Sequence, residues 1–212
     1  MLRVGSKPII ETIMDKCAAQ GFTRFVLCVN YLAEKIENHF GDGSSRGWNI
    51  TYIHERDFLG TAGALRFFYP MGSPFIVHNA DIIADVDFND LMATHEKNGY
   101  DATACLALHN YQVPYGVAVM DGEKVVRIDE KPIECFSVAA GIYVLPPHAP
   151  KLIPEGPVGN PGYLKGGHMD MPSLLEKMSV GSYPIEGFWA DVGHFESLAV
   201  ASVNWGLRLA HG

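Results

Sequence analysis

Basic residues are scarce in this chain. Sixteen Lys and Arg stand against 24 Asp and Glu, a formal charge of −8 over 212 residues. A nucleic-acid groove needs a basic stripe, so a nucleic-acid partner is not expected. Long apolar runs are also lacking. None reaches the roughly 18 residues of a membrane span, and Met1 to Pro8 has no apolar h-region of a secretory leader. Cysteine is sparse, and Cys17, Cys28, Cys105 and Cys135 show no metal-ligand spacing. The nine histidines make no H-x-x-x-H pair with an acidic residue between, which excludes a zinc helix of that kind. Repeats, low-complexity tracts and linkers are absent, so residues 1–212 read as one domain. Cys17, Cys28 and Cys105 sit in apolar stretches and are expected as reduced core thiols of a cytoplasmic protein. No membrane partner is expected, and homo-oligomerisation is left open.

What the chain does have is a large apolar fraction, 48%, enough for a sizeable core. Its first hundred residues alternate strand and helix. Pro8 suits a first helical turn; Ile9, Ile10, Ile13, Met14 and Cys17 then recur at helical spacing until Gly21. Phe25–Val29 is a continuous apolar run, as for a strand covered on both faces. Leu32–Phe40 is amphipathic, Asn49–His54 alternates as a strand, Thr61–Tyr69 reads as a short helix closed by Pro70, and Phe75–His78 reads as a second buried strand. Asp87 caps a helix to about Lys97. Alternating βα units imply a parallel sheet with helices on both faces. After Asp101 strands dominate: Ala102–Leu108, Gly116–Met120, Lys124–Asp129 and Ala140–Leu145, with a hairpin turn at Asp121-Gly122. Residues 158–167 form a glycine-rich loop, Pro172–Met178 a short helix, Tyr183–Ala190 a strand, and His194 to about Leu209 a terminal helix.

The chemistry concentrates at two aspartates. Asp81 ends the apolar stretch Pro74-Phe-Ile-Val-His-Asn-Ala-Asp81, and Asp191 lies in Trp189-Ala-Asp-Val-Gly193. Open α/β sheets place ligands beyond strand ends. Two carboxylates converging there would suit Mg2+, a hard cation that takes oxygen ligands and shares them with phosphate. Taken singly, Asp81 also fits a turn cap and Asp191 a helix start.

Val4-Gly-Ser-Lys-Pro-Ile-Ile10, Leu59-Gly-Thr-Ala-Gly-Ala-Leu65, Asn79-Ala-Asp81, Glu130-Lys-Pro132, Ala140-Gly-Ile-Tyr143 and Trp189-Ala-Asp-Val-Gly193 follow in this order. The ordered set resembles the sugar-1-phosphate nucleotidylyltransferases, over essentially the whole chain. The wording around Asp170-Met-Pro172 is most similar to the branch often linked to upstream CBS domains, some of which make guanylyl sugars. The resemblance implies an α/β, Rossmann-like three-layer nucleotide-diphospho-sugar transferase fold with a mixed, mostly parallel sheet. It implies nucleotidyl transfer from a nucleoside triphosphate, with GTP favoured, to a sugar-1-phosphate. Asp81 and Asp191 would hold Mg2+, and Asp81, Lys131 and Asp191 would carry catalysis. Gly60, Thr61 and Gly63 would lie by the nucleobase, Lys131 on the sugar phosphate, Glu130 on a sugar hydroxyl, and Gly116 and Gly141 along the sugar pocket. Lys7 would support the phosphate loop.

The departures carry expectations too. The family's first strand and its G-G-x-G-T-R-L loop would precede Met1, so the first strand is read as missing, with impaired triphosphate turnover. Ala80 stands where glycine is usual, and Ala139 where many relatives have a sugar-contacting asparagine. Losing a central strand should leave unpaired edges on the strands at Phe25–Val29 and Phe75–His78. Two alternatives remain: a non-catalytic sugar-nucleotide-binding domain, and a glycosyltransferase of related fold using Asp85-Val86-Asp87 as a D-x-D metal motif.

Overall fold

The computed structural model describes residues 1, 3–4, 6–55, 57–68, 72–155 and 167–193. The expected terminal helix from His194 and most of the glycine-rich loop lie outside the described residues. A short hairpin opens the chain, β1 (Arg3–Val4) with β2 (Lys7–Pro8), and Pro8 is the N-cap of α1 (Ile9–Ala19). There follow β3 (Arg24–Val29), α2 (Ala33–Phe40), β4 (Asn49–His54), α3 (Gly60–Gly63) running into a 3-10 turn, β5 (Phe75–His78), β6 (Ile82–Ala84) and α4 (Phe88–Asn98). The second half holds β7 (Ala102–Gln112), β8 (Gly116–Asp121), β9 (Lys124–Glu130), β10 (Ile133–Leu145), α5 (Met171–Leu175), β11 (Val180–Pro184) and β12 (Trp189–Asp191).

The central sheet has the order β11-β7-β10-β5. β11 runs parallel to β7, while β10 is antiparallel to both β7 and β5. Three of the four strands therefore share one direction, and the sheet is mixed. Its alternating residues feed two cores, as the period-2 geometry of a strand requires. Tyr143 and Leu145 pack with Ala62, Met171 and Leu174 from α3 and α5 on one face. Ile142 and Val144 pack with Phe88 and Leu91 of α4 on the other. This is the three-layer α/β arrangement that the resemblance implies.

β3 and β4 form a separate parallel pair. Among the described residues β3 bonds only to β4, and β5 only to β10. The continuous apolar run of β3 is the pattern of a doubly covered strand, yet only Val29 in it is buried, since a strand with one neighbour leaves much of its surface bare. Cys28, expected in the core, is exposed for this reason, and Cys17 is only half-buried. Cys105 is buried as expected, and burial pushes its thiol up to about 12.

Two further expectations need correction, and one strand was not expected. The single strand over Tyr183–Ala190 is two strands on different sheets: β11 extends the central sheet, and β12 pairs with β6. Gly187 sits at the crossing, where a Cβ would lie 2.6 Å from Cβ of Asp85. β6 itself has only three residues, too few to show a period in sequence. Lastly, β7 and β10 are longer than expected. They leave the sheet as a two-stranded ribbon and continue through a bulge, residues 113–115 facing 131–132, into β8 and β9. The bulge is closed by Val113 N donating to Pro132 O (2.9 Å) and Lys131 N to Tyr115 O (3.2 Å). The Asp121-Gly122 turn closes the ribbon as expected, with Gly122 at φ +57.

Candidate active site

A β-bulge organises the first group of site residues. The β10–β7 register shifts between Ala139 and Tyr143, and Gly141 at its centre has φ +77. A bulge frees backbone groups that must find other partners. Here Trp189 Nε1 donates to Ala140 O (3.0 Å), and Asn79 N donates to Gly141 O (2.9 Å). The bulge thus ties β12 and the turn after β5 to one point. A Cβ on Gly141 would meet Ile82 Cγ1 at 2.9 Å and Asn79 Nδ2 at 3.0 Å, so the position needs glycine both for its φ and for space.

That turn carries Asp81, and β12 carries Asp191. Asp191 pairs with Ile82, next to Asp81, and Val192 N donates to Asp81 O (2.8 Å). Gly193 N donates to Asp191 Oδ1 (2.9 Å). A Cβ placed on Gly193 would lie 3.0 Å from Asp81 Oδ2 and 3.1 Å from Asp191 Oδ1. Oxygens that close to a single point are no more than about 6 Å apart. The two carboxylates therefore converge, and the glycine keeps the space beside them clear. Among the described residues no group of three His, Cys, Asp or Glu side chains forms a metal cage. A pair of carboxylates still matches the mode in which Mg2+ takes one or two protein ligands and fills its octahedron with phosphate and water.

Gly116, Glu130 and Lys131 form a second group, on the ribbon. Gly116 pairs with Glu130, and a Cβ on Gly116 would meet Ile128 Cγ2 at 2.9 Å and Glu130 Oε2 at 3.1 Å. Lys131 is exposed and held at φ +47 at the bulge, a conformation that costs a non-glycine residue roughly 1–2 kcal/mol. Strain of this size persists where surrounding structure enforces it.

Gly60, Thr61 and Gly63 form a third group. They dock on residues 167–171: Ala62 N and Gly63 N both donate to Met169 O (2.9 and 3.1 Å), Thr61 N donates to Asp170 Oδ1 (3.2 Å), and Met171 N donates to Thr61 Oγ1 (2.7 Å). Gly60 has φ +79, and a Cβ there would stand 2.5 Å from Met169 O. The glycines thus serve a backbone-to-backbone contact that the sequence reading did not assign.

Other candidates go into fold contacts. Asp87 caps α4 by accepting from Asn89 N and Asp90 N (both 3.0 Å). Asp85 pairs with Lys16 (3.0 Å), and its backbone N–H donates to Phe188 O (2.7 Å). The D-x-D reading is thereby weakened, because both carboxylates are committed to packing β6, α1 and α4. Lys7 pairs with Asp15 at 2.7 Å, on the surface. Asn79, Trp189 and Gly193 belong to the ordered motifs, and their contacts with the bulge and the carboxylates give them a positioning role. No sequence period could have shown this, because the partners are far apart in the chain.

The nucleotidyl transferase family model matches residues 1–205. Among curated proteins, a mannose-1-phosphate guanyltransferase of Yarrowia lipolytica is 34% identical over 202 residues, covering 91% of this chain and 54% of that protein. The Saccharomyces cerevisiae protein of the same name is 32% identical over 203 residues, covering 91% and 55%. The chain spans about half the length of these relatives. Among solved structures, HddC from Yersinia pseudotuberculosis superposes with a TM-score of 0.70 at 21% identity, covering 97% of this chain and 88% of that one. At that identity the likeness speaks for the fold, and it agrees with the layers described above. With the family model spanning nearly the whole sequence, the chain belongs to the nucleotidyl transferase family.

Proposed function

We propose that this protein transfers a nucleotidyl group, guanylyl in the favoured reading, from a nucleoside triphosphate to a sugar-1-phosphate such as mannose-1-phosphate. The convergence of Asp81 and Asp191 beside Gly193 is the observation that carries this reading. An oxygen of the sugar phosphate attacks the α-phosphorus, the bond from that phosphorus to the α–β bridging oxygen breaks, and pyrophosphate leaves. Such a reaction asks the protein mainly for positioning and charge neutralisation. Asp81 and Asp191 would hold Mg2+, which when bound supplies positive charge to the phosphates. Lys131 offers a point charge for the sugar phosphate, and Glu130 accepts a hydrogen bond from a sugar hydroxyl. Gly116 and Gly141 would line the sugar pocket, through the backbone that their close packing positions. The Gly60–Gly63 segment, braced by Met169–Met171, would stand beside the base.

Calorimetric titration with GDP-mannose and Mg2+ tests the reading. The wild-type chain should bind. Lys131→Ala should weaken binding by about ten- to a hundredfold, since a charged hydrogen bond contributes roughly 1.5–3 kcal/mol. The side chain is exposed, so the fold should be unchanged. Equal affinity in the two proteins removes Lys131 from the site, and no binding by folded wild type overturns the proposal.

A further inference from the structure

An imidazole interrupts the apolar strand β5. By alternation, Phe75 and Val77 face one core, and Ile76 and His78 face the other. The His78 ring stands against Phe88 of α4, with centroids 6.2 Å apart at 60°. Thr12, Ile13 and Lys16 of α1 line the small cavity beside it. A polar ring in such a place costs free energy unless its nitrogens are used, so it asks for a reason. The reason lies one residue on. His78 Nδ1 is 2.8 Å from Asn79 O. A carbonyl only accepts, so Nδ1 carries the hydrogen and donates it. Burial lowers the His78 pKa from 6.5 to about 4, so the ring is neutral near pH 7 and Nε2 is bare.

His78 is the last residue of β5 and pairs with Ile142. The bulge residue Gly141 then takes the Asn79 N–H (2.9 Å). From there the chain turns through Ala80 and Asp81, and Ile82 N donates back to Asn79 O at 3.3 Å, long for such a bond. The shorter bond on that carbonyl comes from His78. Resting on the reading of Asp81 and Asp191 as a Mg2+ pair, we propose that His78 is a positioning residue for Asp81. Its Nδ1–H fixes the Asn79 carbonyl, the carbonyl fixes the Asn79–Ile82 turn, and the turn aims the Asp81 carboxylate. The far side of the turn is held separately, since Val192 N donates to Asp81 O (2.8 Å) and Asp191 pairs with Ile82. His78 holds the near side, and it acts through the turn and not by contact with a ligand.

Long-range proton–nitrogen spectra of the chain labelled with nitrogen-15 histidine, without metal, read the tautomer. Near neutral pH His78 should show a protonated Nδ1 and a bare Nε2, its signals assigned by their loss in His78→Asn. The opposite tautomer, or a doubly protonated ring, overturns the proposal. Mn2+ titration followed by electron paramagnetic resonance, with Mg2+ competing, reads the consequence. Asn sets its amide nitrogen close to the place of Nδ1 and keeps a donor, whereas Leu keeps bulk and has none. His78→Leu should weaken Mn2+ binding by about three- to tenfold, the range of one neutral hydrogen bond. His78→Asn should stay within about twofold of wild type. A purely structural role predicts the reverse order, because Leu suits an apolar site better than Asn. Equal binding in all three proteins, or losses that follow melting temperature instead of the donor, overturns the proposal alone. A wild type that binds no Mn2+ overturns the metal reading of Asp81 and Asp191 and this proposal with it.

Discussion

β7 and β10 are each one strand with two lives. Over residues 102–107 and 138–145 they lie between two layers of helices, and Ala102, Cys105, Ala140, Ile142, Val144 and Leu145 are fully buried. Over residues 108–112 and 133–137 the same ladder runs out into solvent, with every residue exposed. In the buried half the ladder carries a bulge and is flanked by β11 beside β7 and β5 beside β10, whereas in the exposed half, among the described residues, the two strands pair only with each other. The buried half fixes the bulge at Gly141 and, through Trp189 and Asn79, the carboxylate pair. The exposed half carries Glu130 and Lys131 at its outer bend. Backbone pairing thus supplies the geometry in both halves, and apolar burial supplies rigidity in one.

The strongest way to sharpen this contrast is one substitution made in each half. Leu145→Ala removes a fully buried side chain and should lower unfolding free energy by about 2–5 kcal/mol in urea titrations. Leu108→Ala, at a side chain 74% exposed, should stay within about 0.5 kcal/mol. Similar costs at both sites would mean that the ribbon is as well packed as the sheet. Trp189→Phe comes next. It keeps an aromatic ring but leaves Ala140 O without its indole donor, at a cost of about 1–3 kcal/mol. It should also weaken Mg2+-dependent ligand binding, because β12 then loses its tie to the bulge. A loss of stability with unchanged binding would detach the bulge from the site.

The smallest effect is pH. Desolvation in its apolar surroundings lowers the His78 pKa from 6.5 to about 4, and His95 shifts in the same direction for the same reason. The unfolded chain then binds more protons than the folded one between those values. Stability is therefore fully present above about pH 6.5 and declines as the pH falls towards 4. Between pH 7 and 6 the loss from His78 should be under about 1 kcal/mol. His78→Gln should flatten that part of the profile, and an unchanged slope would assign it elsewhere.

Much of the fold was legible because its signals are local. β4 and β5 appear within the expected bounds, and Asp87 caps α4. Burial along β3 was not legible, since an apolar run records what a strand could bury and not which neighbours it has. β6 and β12 escaped because three-residue strands carry no period. The placement of Asp170 against Thr61 escaped because the partners are 109 residues apart.

The sequence by itself determined the family, the layer types and the identity of the two aspartates, since ordered motifs and hydrophobic periods are properties of a linear string. Only the tertiary structure decided that Asp81 and Asp191 meet beside Gly193, that a bulge at Gly141 positions the residues around them, and that half of a continuous ladder stands bare. Those outcomes depend on backbone bonds and packing between segments far apart in the chain, and no local pattern encodes them.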